Sequence, residues 1–155
     1  MNKTKCFEHF INEKIDSIYR FAYTYMRSRE DAEDVVNESV VKALKGIGGL
    51  KDEEAIKCWF YRIVANTAVS ELRKRGRMIG GDDLFDDVGR EDDYSKLNFE
   101  SMIASLSEDT KAVVVLKCCD NMSFREISEV LAINENTVKT RFYTAVKKLK
   151  ADTEL

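Results

Sequence analysis

One segment near the end of the chain constrains the fold more than any other. It runs from Ser123 to Lys150, SFREISEVLAINENTVKTRFYTAVKKLK, and its pattern predicts two short helices joined by a tight turn at 132–134. Ser123 and Glu126 have the spacing of a capping box, which fixes where the first helix begins. Apolar residues then line one face of that helix, namely Ile127, Val130 and Leu131. The segment therefore predicts a helix-turn-helix.

The second helix of this segment has an apolar face and a polar face. Four apolar residues recur at helical spacing and are predicted to face inward: Val138, Phe142, Ala145 and Leu149. The opposite face carries Asn136, Thr140, Tyr143 and Lys147, and it is flanked by Lys139, Arg141, Lys148 and Lys150. A basic helix of this kind fits a DNA major groove. A solvated surface helix is the alternative interpretation of the same pattern.

Glycine and charge divide the chain into two parts. There are seven glycines and no proline, and the glycines cluster at 46–49 and 76–89. The stretch 78–94 has few apolar residues and carries seven acidic residues against one arginine. Because the net charge is −3 and this stretch contributes −6, the rest of the chain is left with +3. We therefore predict two small helical domains, 1–77 and 95–155, joined by an acidic flexible linker at 78–94.

The first domain is predicted to consist of three helices. An apolar stripe between Phe7 and Tyr25 predicts the first helix, and Ser28 caps the start of the second, which Gly46 ends. The third helix follows a short acidic run. It is predicted to end at Gly76, after a basic run that suits the negative end of the helix dipole.

The second domain is predicted to be helical throughout. Two helices, 99–106 and 107–120, are expected ahead of the helix-turn-helix. The run VVVL at 113–116 has strand propensity, but the residues on both sides favour a helix. The fold class is therefore all-α, with two small helical domains of which the second contains the helix-turn-helix.

The third helix carries a stripe of residues suited to unpaired bases. An aromatic ring, an amide and two guanidinium groups share one face, at Trp59, Arg62, Asn66, Ser70 and Arg73. Bases stack on aromatic rings, amides discriminate base edges, and cations bind phosphates. The basic end of the helix adds candidate phosphate contacts at Arg73, Lys74, Arg75 and Arg77. The alternatives are that Trp59 belongs to the core and that the basic end of the third helix is merely solvated.

Acidic residues crowd the start of the second helix, REDAEDVVNESVVKAL. Clustered carboxylates can hold metal ions, but helical di-metal sites usually add Glu-x-x-His pairs, and the chain has one histidine, His9. We therefore predict no metal site and no cofactor, and assign Asp31, Asp34 and Glu38 to a docking surface. The chain also lacks a glycine-rich phosphate loop and a nucleophile paired with histidine, so we expect no catalytic residue and no enzyme activity.

The sequence favours a cytoplasmic location. No apolar run approaches the roughly 18 residues that a membrane span needs, and residues 1–10 are polar and mixed. The cysteines lack C-x-x-C spacing, and we expect free thiols in a reducing compartment. They are Cys6, Cys58, Cys118 and Cys119. A redox role for the adjacent Cys118 and Cys119 is the less favoured alternative.

Three segments, in this order, resemble the small two-domain extracytoplasmic-function (ECF) sigma factors of bacterial RNA polymerase, members of the sigma-70 family. DAEDVVNESVVKAL is similar to the family's polymerase-docking helix. WFYRIVANTAVSELRKR is similar to the region that melts and reads the promoter −10 element, and SFREISEVLAINENTVKTRFYTAVKKLK to the region that reads the −35 element. The parts WFY and TVKTR are also similar to a SigV-like Gram-positive stress-response subgroup. The match spans nearly the whole chain.

The resemblance implies a role for each candidate residue. A sigma region 2 domain at 1–77 would dock on the β′ clamp helices of core RNA polymerase through the three carboxylates and bind the −10 element through the third helix. A sigma region 4 domain at 95–155 would bind the β flap and read the −35 element. The −35 contacts would be Asn136, Thr137, Lys139, Thr140, Arg141, Tyr143, Thr144, Lys147 and Lys148.

The resemblance further implies the partners of the chain. It would direct core polymerase to the promoters of a stress regulon, with promoter DNA and core polymerase as partners and no small-molecule substrate. A cognate anti-sigma factor, often membrane-bound in this family, would hold it inactive and keep it at the inner face of the membrane.

Two other functions fit parts of the pattern. A stand-alone helix-turn-helix regulator would bind duplex DNA without polymerase, but it would need neither the stripe on the third helix nor the acidic second helix. A helical carboxylate-metal enzyme would require bound metal.

Overall fold

The computed structural model describes residues 2–79 and 106–153. Over these residues the chain forms six α-helices and no strand: α1 (Lys3–Met26), α2 (Arg29–Gly46), α3 (Ile56–Ile79), α4 (Glu108–Cys118), α5 (Phe124–Leu131) and α6 (Glu135–Thr153). Two single-turn 3₁₀ helices, Ile47–Gly49 and Glu53–Ala55, connect α2 to α3. The predicted all-α fold class is confirmed. From residue 80 onward the predicted linker lies outside the described residues, as does the predicted helix at 99–106 except for its last residue.

Side-chain caps fix the beginnings of the helices, as the sequence predicts. The Ser28 hydroxyl accepts a hydrogen bond from the N–H of Asp31 at 3.2 Å at the start of α2. Ser123 and Glu126 form the expected capping box of α5, with both hydrogen bonds 3.0 Å long. The Ser107 hydroxyl accepts a hydrogen bond from the N–H of Thr110 at 3.3 Å at the start of α4. Each cap satisfies an amide that would otherwise lack a partner within the helix, which stabilises the helix start by about 1 kcal/mol.

The ends of the helices follow the glycines less closely. Helix α2 ends at Gly46 as predicted, and Ala132 ends α5 in a left-handed conformation with φ of 57°. Helix α3 continues past Gly76 to Ile79, so the predicted C-cap at Gly76 is wrong. A glycine ends a helix when its backbone turns left-handed; in a right-handed conformation it costs about 1 kcal/mol relative to alanine, and the helix continues.

The core of the first domain, α1 to α3, is built around aromatic rings. Phe7, Phe21, Phe60 and Tyr61 are all buried. Phe7 meets Phe60 edge to face with centroids 5.2 Å apart, and Phe21 meets Tyr61 at the same separation. This geometry directs the positive ring edge at the negative face of its neighbour.

The core of the second domain, α4 to α6, is mainly aliphatic. Residues 112–116 of α4 are buried in succession, so the VVVL run is helical as its flanks predicted. Ile127 and Val130 of α5 and Val138 of α6 are buried with them. The apolar positions expected from the helix-turn-helix pattern therefore face inward.

The two domains pack directly on each other. Helix α3 contacts α5, and α1 contacts α4. Buried apolar residues of both domains belong to one continuous cluster. We call this packing the closed arrangement; it brings the first helix of the helix-turn-helix against the helix that carries the predicted stripe.

Candidate nucleic-acid and polymerase interfaces

The outer face of α6 presents nearly all of its predicted contacts to solvent. Arg141 is half-buried, with Nη2 lying 4.0 Å from Asp109 Oδ2, and Thr137 is also half-buried. Tyr143 is 58 % exposed, and its ring lies against Phe124 and Phe142. The remaining predicted contacts are exposed: Asn136, Lys139, Thr140, Thr144, Lys147 and Lys148. The helix therefore offers a polar and basic surface whose aromatic residue is held by packing.

The start of α6 is positioned by a residue that the sequence analysis placed only in the turn. Asn134 Oδ1 accepts a hydrogen bond from the N–H of Asn136 at 2.7 Å. Asparagine is among the best N-cap residues, so the presence of Asn134 at this position was the sequence signal for the cap. The cap therefore fixes the start of α6, which is the end predicted to reach deepest into a DNA groove.

The stripe on α3 divides into an exposed part and a part that contacts protein. Asn66, Ser70, Arg73 and Lys74 are exposed. Trp59 is half-buried, with its ring 6.1 Å from that of Phe7 in an edge-to-face contact. Trp59 therefore fits both interpretations, a core residue and a base contact, since one part of the ring belongs to the core and another part is open.

Arg62 lies at the domain junction. Its Nη1 donates to the backbone oxygen of Glu129 in α5 at 3.4 Å, while the side chain stays exposed. Of the predicted α3 contacts, Trp59 and Arg62 therefore lie toward the end of α3 where α5 packs.

Arg75 and Asp31 form an ion pair, although the sequence analysis assigned them to different surfaces. Arg75 Nη1 lies 2.7 Å from Asp31 Oδ2, and Arg75 Nε lies 3.4 Å from Glu71 Oε2. The hydrogen bond from Arg75 lowers the pKa of Asp31. The pair joins the end of α3 to the start of α2. The side chain of Arg77 lies outside the described residues.

The remaining docking carboxylates stand beside exposed apolar residues. Asp34 and Glu38 are exposed, and Glu38 Oε2 lies 3.4 Å from Lys42 Nζ. Val41 and Leu44 are 50 % and 45 % exposed. The sequence analysis missed these two. These two apolar residues lie off the buried face of α2, which runs through Ala32, Val35, Val36, Ser39 and Ala43. Apolar residues outside the main apolar face were the sequence signal that could have identified them.

The described residues contain no group of three or more metal-ligating side chains. The described cysteines are free thiols, and burial, assisted by nearby Glu126 and Glu129, raises the pKa of Cys58 to about 11. Burial also raises the pKa of Cys118 and Cys119, which keeps these thiols protonated and weakly nucleophilic. None of the described helices is long and apolar enough to cross a membrane.

Comparison with known proteins decides the family. The Sigma-70 region 2 model matches residues 10–78, and the Sigma-70, region 4 model matches residues 96–149. The RNA polymerase sigma factor SigV of Bacillus subtilis is 34% identical over 143 residues, which cover 90% of this chain and 86% of the relative. The chain belongs to the ECF sigma factors. An ECF RNA polymerase sigma-E factor of Haemophilus influenzae is 30% identical over 137 residues, with 76% of this chain and 72% of the relative covered.

Solved structures share the fold of this sigma factor across both domains. A chain in the co-crystal structure of the sigma factor RpoE with the anti-sigma factor NepR from Bartonella quintana matches with a TM-score of 0.83 at 20% identity, covering 96% of this chain and 98% of that one. The structure of CnrH with the cytosolic domain of CnrY matches with a TM-score of 0.69 at 21% identity, covering 96% and 89%.

The predicted family and function are confirmed by these matches. This ECF sigma factor acts with core RNA polymerase and promoter DNA through regions 2 and 4. The stand-alone regulator is not favoured.

Proposed function

We propose that this sigma factor divides promoter recognition between two helices, with α6 reading the −35 duplex and α3 reading the melted −10 element. One observation carries the proposal: each family region presents a polar, basic face on a helix whose other face is buried. Duplex reading suits α6 because a capped helix start and exposed side chains fit a major groove. Single-strand reading suits α3 because its stripe combines a partly open aromatic ring with an amide.

Within α6, bases and phosphates are read by different residues. Lys139, Thr140 and Tyr143 lie nearest the bases, because they are exposed and fall within the first half of the helix. Arg141, Lys147 and Lys148 lie nearer the phosphates. Base contacts carry sequence information, whereas phosphate contacts set position and overall affinity.

Within α3, Asn66 discriminates a base that has left the stack. Its amide is exposed midway between the ring of Trp59 and the cations at Arg73 and Lys74. The turn that follows α2 is open, since a side chain at Gly48 or Gly49 would meet nothing within 4 Å. Base flipping costs a few kcal/mol, which such contacts offset.

Polymerase docking uses the outer face of α2. Asp34 and Glu38 supply charge for basic residues of a partner, and Val41 and Leu44 supply apolar area that a partner would bury. Carboxylates next to exposed apolar side chains are typical of a surface that is covered in a complex. Asp31 contributes by holding Arg75 and thereby the end of α3, in addition to its charge.

The chain itself catalyses no reaction; it is a dissociable specificity subunit of a cytoplasmic polymerase that serves a stress regulon. Regulation by an anti-sigma factor is supported by the structural neighbours, which are a complex of RpoE with the anti-sigma factor NepR and a complex of CnrH with the cytosolic domain of CnrY. Such a partner, if membrane-bound, would hold the chain at the inner face of the membrane.

In vitro transcription with core polymerase on a randomised promoter library tests the proposal. We expect transcripts that depend on the chain and start downstream of paired −35 and −10 sequences. A matched pair of variants, Asn66→Ala and Lys139→Ala, should each relax preference in one element and leave the other unchanged. Duplex binding without any effect on core polymerase would contradict the proposal and favour a stand-alone regulator.

A further inference from the structure

Thr67 places a hydroxyl at a buried position of α3, where only 3% of the residue is exposed. Two other buried hydroxyls of the described chain, those of Thr24 and Ser39, donate to backbone oxygens of their own helices. The Thr67 hydroxyl has a partner on a different helix, because Lys42 Nζ, in α2, donates to Thr67 Oγ1 at 3.0 Å. Thr67 therefore ties α2 to α3 and determines where the ammonium group of Lys42 lies.

The ammonium group of Lys42 is held in place but remains open on one side. The side chain is 48% exposed, and Glu38 Oε2, at 3.4 Å, belongs to a side chain that is 56% exposed. Ion pairs at such exposed positions are weak and readily exchange partners. An anion from solvent can therefore reach Lys42 while Thr67 still fixes its position.

The proposed −10 surface of α3 has no cation of its own in the middle. Arg62 and Arg73 are eleven residues apart, which is about 16 Å along the helix at roughly 1.5 Å per residue. The residues between them, IVANTAVSEL, include Asn66 but neither lysine nor arginine, and their one charged residue, Glu71, pairs with Arg75. Phosphates of a strand follow one another more closely than this, at roughly 3.4 Å per charge along a duplex axis. Phosphates beside the base at Asn66 would thus meet no cation from α3.

Thr67 lies at the edge of this cation-free interval. It follows Asn66 in the sequence and is therefore about 100° further around the helix axis. Ser70 and Lys74, one and two turns later on the same side of α3, are exposed. The hydrogen bond to Thr67 consequently brings the Lys42 ammonium group to the rim of the exposed face of α3.

We propose that Thr67 is a positioning residue that holds Lys42 where its ammonium group binds a backbone phosphate of the unpaired −10 strand, next to the base at Asn66. The inference rests on the proposed function, which assigns this face of α3 to the −10 element. Helix α2 thereby supplies the cation that α3 lacks between Arg62 and Arg73. Such a contact positions the strand and carries no sequence information.

Neutralising single phosphates tests the contact at Lys42. A methylphosphonate removes one negative charge from the strand and leaves the bases unchanged. Single-stranded −10 oligonucleotides, each with one methylphosphonate, are bound at several salt concentrations to holoenzyme assembled from core polymerase and the full chain. The variants are Lys42→Met and, as the matched control, Lys45→Met, which removes one charge from an exposed position in the last turn of the same helix. Affinity for core polymerase is measured separately.

We expect wild-type holoenzyme to lose about threefold or more in affinity when the phosphate beside the base at Asn66 is neutralised. Lys42→Met should weaken binding of the unmodified strand by a similar factor, show no further loss at that phosphate, and lower the slope of log affinity against log salt by about 0.7. Lys45→Met should behave like the wild type.

Three results would overturn the inference and leave the proposed function standing. They are an undiminished methylphosphonate effect in Lys42→Met, the absence of any sensitive phosphate beside that base in the wild type, and equal behaviour of the Lys42 and Lys45 variants. Loss of affinity for core polymerase with the methylphosphonate effect retained would assign Lys42 to docking instead. The proposed function itself would be refuted if wild-type holoenzyme bound −10 and scrambled strands equally.

The variant Thr67→Val tests the positioning role, because it removes the hydroxyl and keeps the shape of the side chain. It should weaken strand binding about twofold or more and reduce the methylphosphonate effect, with a salt slope near that of the wild type since Lys42 keeps its charge. Thr67→Ser should restore binding, and Thr67→Val should add nothing to Lys42→Met. Unchanged binding by Thr67→Val, or a loss that persists undiminished in the Lys42→Met background, would show that Thr67 does not act through Lys42.

Discussion

The two helices proposed to bind DNA differ in how much of their surface is engaged by the protein itself. Helix α6 keeps one apolar face against the second domain and presents the opposite face to solvent. Helix α3 packs against α1, α2 and α5 at once. Its candidate DNA residues include Trp59, which meets Phe7 edge to face, and Arg62, which donates to a backbone oxygen of the other domain. The exposed face of a helix that is buried on one side can be predicted from the periodicity of its apolar residues. For α3, which contacts three other helices, periodicity is not sufficient because several of its faces contact protein.

The same contrast appears in the two cores. The first domain places large aromatic rings around α3, and the second packs smaller aliphatic side chains around α5. Disturbing α3 should therefore cost more stability than disturbing the helix-turn-helix.

Core truncation should give the largest effects. Phe60→Ala should lower the free energy of unfolding by about 3 to 5 kcal/mol and Ile127→Ala by about 2 to 5 kcal/mol, because each leaves a cavity at a fully buried position. Urea denaturation followed by circular dichroism measures both. A loss at Phe60 no larger than the loss at Ile127 would contradict the contrast between the two cores.

Removal of a base contact on α3 should come next. Asn66→Ala should cost about 1 to 3 kcal/mol of discrimination at one position of the −10 element, measured by transcription from a −10 library. Ser70→Ala, at another predicted contact on the same exposed face, should leave the preference at that position unchanged. A uniform loss across the library would instead indicate a role in folding or phosphate binding.

Two lysines of α6 should separate base reading from phosphate binding. Lys139→Ala should relax preference at one −35 base pair by about 1 kcal/mol or more. Lys148→Ala should weaken all −35 sequences equally and reduce the slope of log affinity against log salt by about 0.9. If the two variants behave alike over a −35 library at several salt concentrations, the placement of α6 in the groove is wrong.

Charge reversal on α2 should weaken polymerase binding. Asp34→Lys together with Glu38→Lys should cost about 0.4 to 2 kcal/mol of affinity for core polymerase, at about 0.2 to 1 kcal/mol per exposed ion pair. The control Glu30→Lys with Glu33→Lys makes the same charge change on the same helix, outside the proposed docking stripe. Equal loss in both would show a general charge effect rather than a docking surface.

The Asp31–Arg75 pair should give the smallest effect. Since Arg75 lowers the pKa of Asp31 in the folded state, the pair contributes stability at pH values above the unfolded pKa of about 3.9 and loses it as the pH falls through the folded value. Both side chains are partly exposed, so the contribution should stay below about 1 kcal/mol. Asp31→Asn should remove this part of the acid dependence of the unfolding free energy, and an unchanged acid dependence would show that the pair contributes nothing.

Local chemistry determined much of this protein directly. The capping box of Ser123 and Glu126, the end of α2 at Gly46 and the outward face of α6 all follow from signals within a few residues, and each appears as predicted. Helix periodicity was also sufficient for the all-α fold, since the interior of each helix depends on the pattern of its own side chains.

Tertiary structure decided where one helix meets another. The continuation of α3 past Gly76, the pairing of Arg75 with Asp31 and the half-burial of Trp59 depend on neighbours that are distant in sequence. The hydrogen bond between Tyr61 and Asp120 joins residues 59 positions apart. Periodicity shows which face of a helix is apolar, but the element that covers that face, and the polar groups that become paired when it does, are set by packing of the whole chain.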